Sequence, residues 1–427
     1  MPVVSLIHSG AGRSLSERMG SIHFATAEKS STTLWIHAAS VGEVQAAGPL
    51  IRELLAGRES FNIILTTMTE YGRKVAKAQL PADIPCILAP LDVPCTVRRF
   101  IGKVNPDMYI GLETELWPAL LTELRRAGVP CVLLNGRMSD GSFKRYRLIR
   151  GLLSELVRTF SAVSVIQDSD REHFAFFGIP ENLIQVNGNI KYDFPAADRD
   201  GVRKEYRTLL GLNGEKLFIC GSTRSGEEKI LAGVFLQLRR LGGRDLIWMI
   251  APRHLERLAE VKKILAGNGL SYHLLTELKD GRRKREYPVV LVDTMGELAD
   301  MYSAGDYIFC GGSLVARGGH NVMEAARWGK PVFFGPDMKD FRDAAQLLER
   351  GGAGFRATDG EQLVQLILRH MEDETVYQRA CSNALEVVKL QQGAARRQAA
   401  MVKKLLAERT ALRDKESFEF HESINRA

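Results

Sequence analysis

Short apolar runs punctuate the chain, each closed by a glycine, a hydroxyl or a carboxylate and followed by a stretch of helical periodicity. One series occupies residues 33–37, 63–69, 86–89, 108–112, 132–134, 161–166 and 184–186. A second occupies 217–220, 246–251, 289–292, 307–310 and 332–334. Brief runs with little polar interruption are what strands buried on both faces require. Helices are expected between them, for example over 44–55, 94–101 and 119–126. This alternation predicts an α/β protein of two Rossmann-like, doubly wound domains facing a cleft. The polar, proline-broken stretch 193–200 divides them, giving a first domain over 1–192 and a second over 193–427. Residues 359–410 are helical by periodicity, and this C-terminal tail is expected to cross back and brace the first domain. The polar, Ser/Gly-rich residues 1–30 are expected to be loosely ordered.

Composition narrows the partners. The 427 residues are 45% hydrophobic, enough for two cores. Six cysteines include no C-x-x-C pair. They read as buried free thiols in a reducing compartment, with neither a disulfide framework nor a zinc site. No signal peptide and no transmembrane helix are predicted. The formal charge of +7 permits anionic partners such as nucleotides, phosphorylated lipids or membrane surfaces. Nucleic acid is not indicated, because no binding motif accompanies the charge. In 143–158, Lys144, Arg145, Arg147, Arg150 and Arg158 outnumber Glu155. One helix over this stretch would carry a basic face and a Leu/Ile face. It would either pack on the sheet with a solvated rim or meet an anionic membrane.

The candidate chemistry lies at strand ends. After the run 307–310 come Gly311-Gly312 and Gly318-Gly319, then a helix expected over 321–328. Strand, glycine loop and helix N-terminus together predict an anion site, with Glu324 placed to bond a ribose. A tight βα connection without a ligand would use the same residues. Glu43 stands at a strand-to-helix corner, either facing a ligand or only complementing the helix dipole. Glu113 and Glu115 close the run 108–112. Paired carboxylates are costly without a function or a cation, unless one caps the next helix. Asp168-Ser169-Asp170 matches the D-x-D metal motif but reads better as a helix cap. In the second half Ser222-Thr223, Arg253, Gly296-Glu297, Asn321 and Glu324 form a phosphate and ribose set. Carboxylates in one half and a nucleotide site in the other suit a two-domain nucleotide-sugar glycosyltransferase.

The motifs Ser40-Val41-Gly42-Glu43, Thr66-Thr67-Met68-Thr69, Glu113-Thr114-Glu115-Leu116-Trp117-Pro118 and Gly188 to Asp193 point further. So do Pro252-Arg253-His254, Asp293-Thr294-Met295-Gly296-Glu297, Gly311-Gly312-Ser313-Leu314 and Gly318-Gly319-His320-Asn321. In this combination the sequence resembles the bacterial Kdo transferases, which move 3-deoxy-D-manno-octulosonic acid from CMP-Kdo to a lipid A precursor. The resemblance runs from about residue 33 to 390. It implies a GT-B fold and metal-independent, inverting transfer, with CMP-Kdo as donor substrate and no cofactor. By position Glu43 matches the family's general base, and Glu113 and Lys191 match residues that stabilise the transition state. Pro252 and Arg253, Met295 to Glu297, and the segment Asn321, Val322, Met323, Glu324 match the CMP-binding segments. Relatives usually begin with a hydrophobic anchor of about twenty residues; none is read in this sequence, so either its start is shortened or the protein is expected to hold the membrane peripherally. The implied location is the cytoplasmic face of the bacterial inner membrane, held peripherally. Two other classes are compatible with the pattern: a nucleotide-sugar epimerase of the same shape, and a non-catalytic sugar-nucleotide binder. The pairing of Glu43 with Glu113 argues against the binder.

Overall fold

Leu34 and Ile36 belong to one buried cluster and Trp35, between them, to another. Successive side chains of a strand point to opposite faces, so a run of this kind is buried only if both faces of its sheet are covered. The computed structural model describes residues 11–22, 31–57, 60–194, 198–243, 245–281 and 283–425. Its contacts divide the chain into two units. The first comprises Met1–Asp193 and Gly393–Ala427, the second Phe194–Gln392.

In the first unit the strands are β1 (Thr32–His37), β2 (Phe61–Thr67), β3 (Cys86–Leu88), β4 (Met108–Leu112), β5 (Cys131–Gly136), β6 (Phe160–Val165) and β7 (Ile184–Val186). They form one sheet in the order β3-β2-β1-β4-β5-β6-β7. Every pairing is parallel. The order reverses between β1 and β4, and such a switch point is where open α/β sheets bind ligands. The helix Val41–Leu55 covers one face with Val44, Ala47, Leu50, Ile51 and Leu54. The helix Pro94–Val104 covers the other with Val97, Phe100 and Ile101.

The division at 192/193 leaves the tail with the second domain, whereas its contacts place residues from Gly393 onward in the first unit. The reason is chemical as well as apolar. The Asp193 carboxylate accepts the Gly393 and Ala395 N–H groups. In the helix Ala394–Asn425, Ala395, Ala399 and Val402 join the cluster under the helix Val41–Leu55. Lys403 donates to the carbonyls of Glu53 (3.0 Å) and Ala56 (2.8 Å) at that helix's end.

In the second unit the strands are β8 (Lys216–Thr223), β9 (Leu246–Pro252), β10 (Tyr272–Leu274), β11 (Val289–Leu291), β12 (Tyr307–Cys310), β13 (Val332–Phe334) and β14 (Gly354–Arg356). The sheet order is β10-β11-β9-β8-β12-β13-β14, which differs from the first in that β11 lies between β10 and β9, and its switch falls between β8 and β12.

Four expectations are corrected. The stretch 11–18, expected to be loose, contains the helix Ala11–Arg18, and Arg18 is buried. Glu17 holds it down by accepting the Leu88 N–H at 2.9 Å and pairing with Arg73. The rest of 1–30, apart from residues 19–22, lies outside the described residues. The stretch 143–158 is two helices, Asp140–Arg147 and Arg150–Val157, broken at Leu148–Ile149. The expected helix over 321–328 is the single turn Met323–Ala326. Left-handed Gly329 and the following Pro331 close it. Finally, four cysteines are buried but Cys95 is exposed and Cys381 half-buried.

Candidate active site

In the first unit, β1 runs into Ser40, the N-cap of the helix Val41–Leu55. The Ser40 hydroxyl accepts the Glu43 N–H at 3.2 Å and donates to one Glu43 carboxylate oxygen at 2.7 Å. The other oxygen accepts the Ala39 N–H at 2.8 Å. This S-x-x-E arrangement is a variant of the capping box, so Glu43 does fix the helix start. That does not exhaust it. The side chain is buried, and burial, then the fields of Glu115 and Glu113, push its carboxyl up to about 8 despite those hydrogen bonds. A carboxyl shifted so far for a helix cap is better suited to taking a proton than to carrying a permanent charge.

Glu113 follows β4 with φ +61°, a conformation that residues other than glycine rarely adopt. The turn aims its carboxylate at two cations, the Lys191 ammonium and the Arg137 guanidinium, the latter at 3.4 Å. Lys191 rides on the 3₁₀ turn Ile190–Tyr192. Three amides hold that turn. Asn135 Oδ1 accepts the Ile190 N–H at 2.8 Å, and Asn189 Oδ1 accepts the Lys191 N–H at 3.0 Å. Gln398, from the returning helix, accepts the Asn135 N–H at 2.8 Å and donates to the Gly188 carbonyl at 3.0 Å. Lys191 also explains Gly42. A Cβ there would lie 3.3 Å from the ammonium nitrogen. Glu43, Glu113 and Lys191 are therefore brought together by the ends of β1 and β4 and the turn after β7.

Two further groups share this end of the sheet. Trp117 donates its indole N–H to Glu115, whose carboxyl burial raises. Buried His37 holds one ring nitrogen 2.9 Å from Thr66 Oγ1 and the other 3.8 Å from the Glu115 carboxylate. Burial lowers this imidazole to about 4, so it is neutral. A small pocket opens beside it, walled by Trp35, Met68, Trp117 and Leu120 with Asp92 at its polar side. Asp168 and Asp170 do not converge as a D-x-D ligand pair would. Asp168 is exposed and pairs with Arg171 at 3.5 Å, while buried Asp170 accepts the Met138 N–H at 2.8 Å. Neither caps the helix Asp168–Phe176, whose cap position is Gln167.

In the second unit the strand ends meet differently from expectation. The N–H groups of the glycine loop, offered above to a phosphate, are already taken. The Glu227 carboxylate, wholly buried, accepts Gly312 N–H at 2.7 Å, Ser313 at 3.0 Å, Leu314 at 2.9 Å and Arg224 at 2.8 Å. A side-chain anion thus occupies the nest, and ties the loop after β12 to the loop after β8. Its carboxyl is raised by burial and lowered by those four hydrogen bonds. The single turn at 323–326 supplies no substantial dipole, and Asn321 Oδ1 accepts the Met323 N–H at 3.1 Å. Thr223 is also committed, donating at 2.9 Å to Glu228, which Arg257 holds at 2.7 and 3.0 Å.

Other predicted residues stay open. Arg253, beyond buried Pro252 at the end of β9, is exposed. Ser222 is half-buried at φ +55°. Met295 is exposed and Gly296 left-handed in the turn after β11. Glu297 is bonded by Lys279 and, at 3.4 Å, by the Tyr206 hydroxyl. Glu324 is half-buried, takes the Asn321 amide at 3.3 Å, and is raised by burial. Val322 and Met323 have wholly buried side chains, leaving only their backbone to a ligand. Arg224, Arg317, His254 and His320 also gather here. The strand-end rule could have found Arg224, which directly follows Ser222-Thr223. Glu227, Asn135 and Gln398 carried no local signal.

Residues 13–194 match the family model for 3-deoxy-D-manno-octulosonic-acid transferase (kdotransferase). A 3-deoxy-D-manno-octulosonic acid transferase of Haemophilus influenzae is 33% identical over 317 residues, 74% of this chain and 73% of that protein. A bifunctional glycosyltransferase/methyltransferase of Fusobacterium nucleatum is 31% identical over 78% of this chain, which spans only 52% of that relative. Among solved structures, Anabaena Alr3699/HepE in complex with UDP superposes with a TM-score of 0.61 at 14% identity, covering 87% of this chain and 99% of that one. A putative UDP-N-acetylglucosamine 2-epimerase of Listeria monocytogenes gives 0.61 at 14%, covering 89% and 98%. At such identity these two speak for the GT-B fold alone.

Proposed function

Because the chain belongs to the 3-deoxy-D-manno-octulosonic acid (Kdo) transferase family and is a glycosyltransferase, we propose that it moves Kdo from CMP-Kdo to a lipid A precursor with inversion at the anomeric carbon. The observation that carries this reading is Glu43, a buried carboxyl raised to about 8 beside the Glu113–Lys191 pair. In its ionised form Glu43 takes the proton of the acceptor hydroxyl as that oxygen attacks the anomeric carbon. The bond from that carbon to the phosphate oxygen breaks, and CMP leaves with the electron pair. Arg253 meets the phosphate charge, and Glu113 and Lys191 set the field around the sugar as positive charge develops on its ring. A monophosphate leaving group carries less charge than a diphosphate, so a metal is not required by this scheme. The test is CMP release from CMP-Kdo. Release that depends on the lipid acceptor and persists in EDTA is expected. An altered nucleotide sugar without CMP release would instead indicate an epimerase, and rescue of lost turnover by Mg²⁺ or Mn²⁺ would refute metal independence.

The break at Leu148–Ile149 supports a peripheral seat on the anionic cytoplasmic face of the inner membrane. No helix among the described residues is long and apolar enough to cross a membrane. At the break Leu148 is 87% exposed and Leu152 57%, with Ile149 between them. Lys144, Arg145, Arg147 and Arg150 surround them, all exposed. Apolar tips within a basic ring suit insertion among acidic headgroups. Replacing Lys144, Arg145 and Arg147 by Gln should weaken binding to anionic vesicles by roughly 10²-fold, at about 1 kcal/mol per basic residue. Co-sedimentation in rising salt checks this; equal partition of the parent protein onto neutral and anionic vesicles would contradict it.

A further inference from the structure

The cations of the second unit outnumber what one phosphate needs. Arg224, Arg253 and Arg317 lie close enough that the charges of Arg253 and Arg317 disfavour that of Arg224. No carboxylate among the described residues forms an ion pair with any of the three. Glu227, whose charge Arg224 feels, has both oxygens spent on backbone N–H groups, and Glu324, whose charge interacts with that of Arg253, is bonded to the Asn321 amide. Arg257 is spent on Glu228 and Glu260. Like charges gathered without an ion-paired carboxylate repel one another, and an anionic ligand relieves that cost.

Arg224 is the half-buried member of the three. Its guanidinium contacts the His254 ring, and His254 directly follows Arg253, whose charge Arg224 feels. Its stem passes over Gly312, where a Cβ would lie 3.6 Å from Arg224 Cγ and 3.2 Å from the His320 ring. Arg224 Nε and His320 Nε2 are both buried without a hydrogen-bond partner. Buried polar nitrogens left unpaired in a cationic recess mark a place that a ligand completes.

The donor proposed above offers two anions. The phosphodiester is one; the sugar's own carboxylate is the other. Both are attached at the anomeric carbon, so only that carbon and the ester oxygen separate the phosphorus from the carboxylate. We propose that Arg224 recognises the carboxylate of the transferred sugar acid while Arg253 holds the phosphate. The inference rests on the donor reading and makes Arg224 a specificity residue, selecting nucleotide-linked sugar acids over neutral sugars. A guanidinium fork fits a carboxylate with two parallel bonds, which a lysine cannot reproduce.

The experiment compares CMP with CMP-Kdo as ligands, by calorimetry or competition, for the wild type, Arg224→Gln, Arg224→Lys and Arg253→Ala. The wild type is expected to hold CMP-Kdo more tightly than CMP. Arg224→Gln should weaken CMP-Kdo by roughly 10- to 100-fold and leave CMP within about twofold, which also shows that the variant is folded. Arg224→Lys should fall between, and Arg253→Ala should weaken both ligands alike. An advantage of CMP-Kdo that survives in Arg224→Gln would overturn the assignment. So would an equal loss for CMP, which would make Arg224 a phosphate residue. A wild type that binds CMP but gains nothing from the sugar acid would also overturn it. Failure to bind either ligand is a different result: it removes the donor reading, and this inference with it.

Discussion

Glu43→Gln is expected to lower turnover by roughly 10²–10⁴-fold with CMP affinity nearly unchanged. Gln preserves the shape, and its amide oxygen can still accept the Ala39 N–H, so the helix start survives. What it cannot do is take a proton. The wild-type rate should rise with pH, because only the ionised carboxylate works as the base, and should level off above about 8. The variant's residual rate should lose that rise. Stability offers a second, oppositely signed readout. Glu43 keeps its proton in the fold up to about 8 but releases it near 4.5, the ordinary value for a glutamate, when unfolded. Between those values the folded state binds more protons, so the group's contribution to stability falls as pH rises. Glu43→Gln should flatten that fall. Near-normal turnover in a folded variant would leave Glu43 a capping residue and move the search to Glu113 or Glu115.

Glu227→Ala is expected to destabilise the second unit by about 3–5 kcal/mol, at the upper end for single substitutions. Four backbone N–H groups, from loops distant in sequence, lose their one shared acceptor. Glu227→Gln should recover only part of this. Its carbonyl oxygen can serve Ser313 and Leu314, but its NH₂ then faces the N–H groups of Arg224 and Gly312, donor against donor. Urea denaturation with and without CMP measures both variants. Wild-type midpoints for the pair would mean that the loops find other acceptors, and that the nest does not depend on this carboxylate.

The two sheets were legible because their inner strands are uninterrupted apolar runs, such as the β4 residues Met108 to Leu112. The edge strands β10 and β14 were not. Tyr272-His273-Leu274 and Gly354-Phe355-Arg356 are short and half polar, as strands with one free side can be. At 321–328 the residues favour a helix, but two glycines and a proline around them set its length. At 143–158 periodicity reads through Leu148–Ile149 because leucine and isoleucine fit a helix; nothing local reports that the chain turns there. In the first unit Glu43 and Glu113 stood out because each follows the end of a strand, whereas Lys191 was reached only through the family resemblance; the fold brings the three together. In the second unit the N–H groups expected to meet an anion are already bonded to Glu227. Free N–H groups after β12 are a sound local expectation, and Glu227, which removes them, lies more than eighty positions away in sequence. Asn135 and Gln398 were missed for the same reason, being meaningful only once the tail has returned to the first unit.

The most direct measurement is the mass of the lipid recovered after incubating the protein with CMP-Kdo and a lipid A precursor. A gain of one or more whole Kdo residues is predicted, present in EDTA, faster at pH 8 than at pH 6, and nearly absent with Glu43→Gln. An unmodified lipid, recovered while CMP-Kdo is consumed or isomerised by the folded protein, would contradict it.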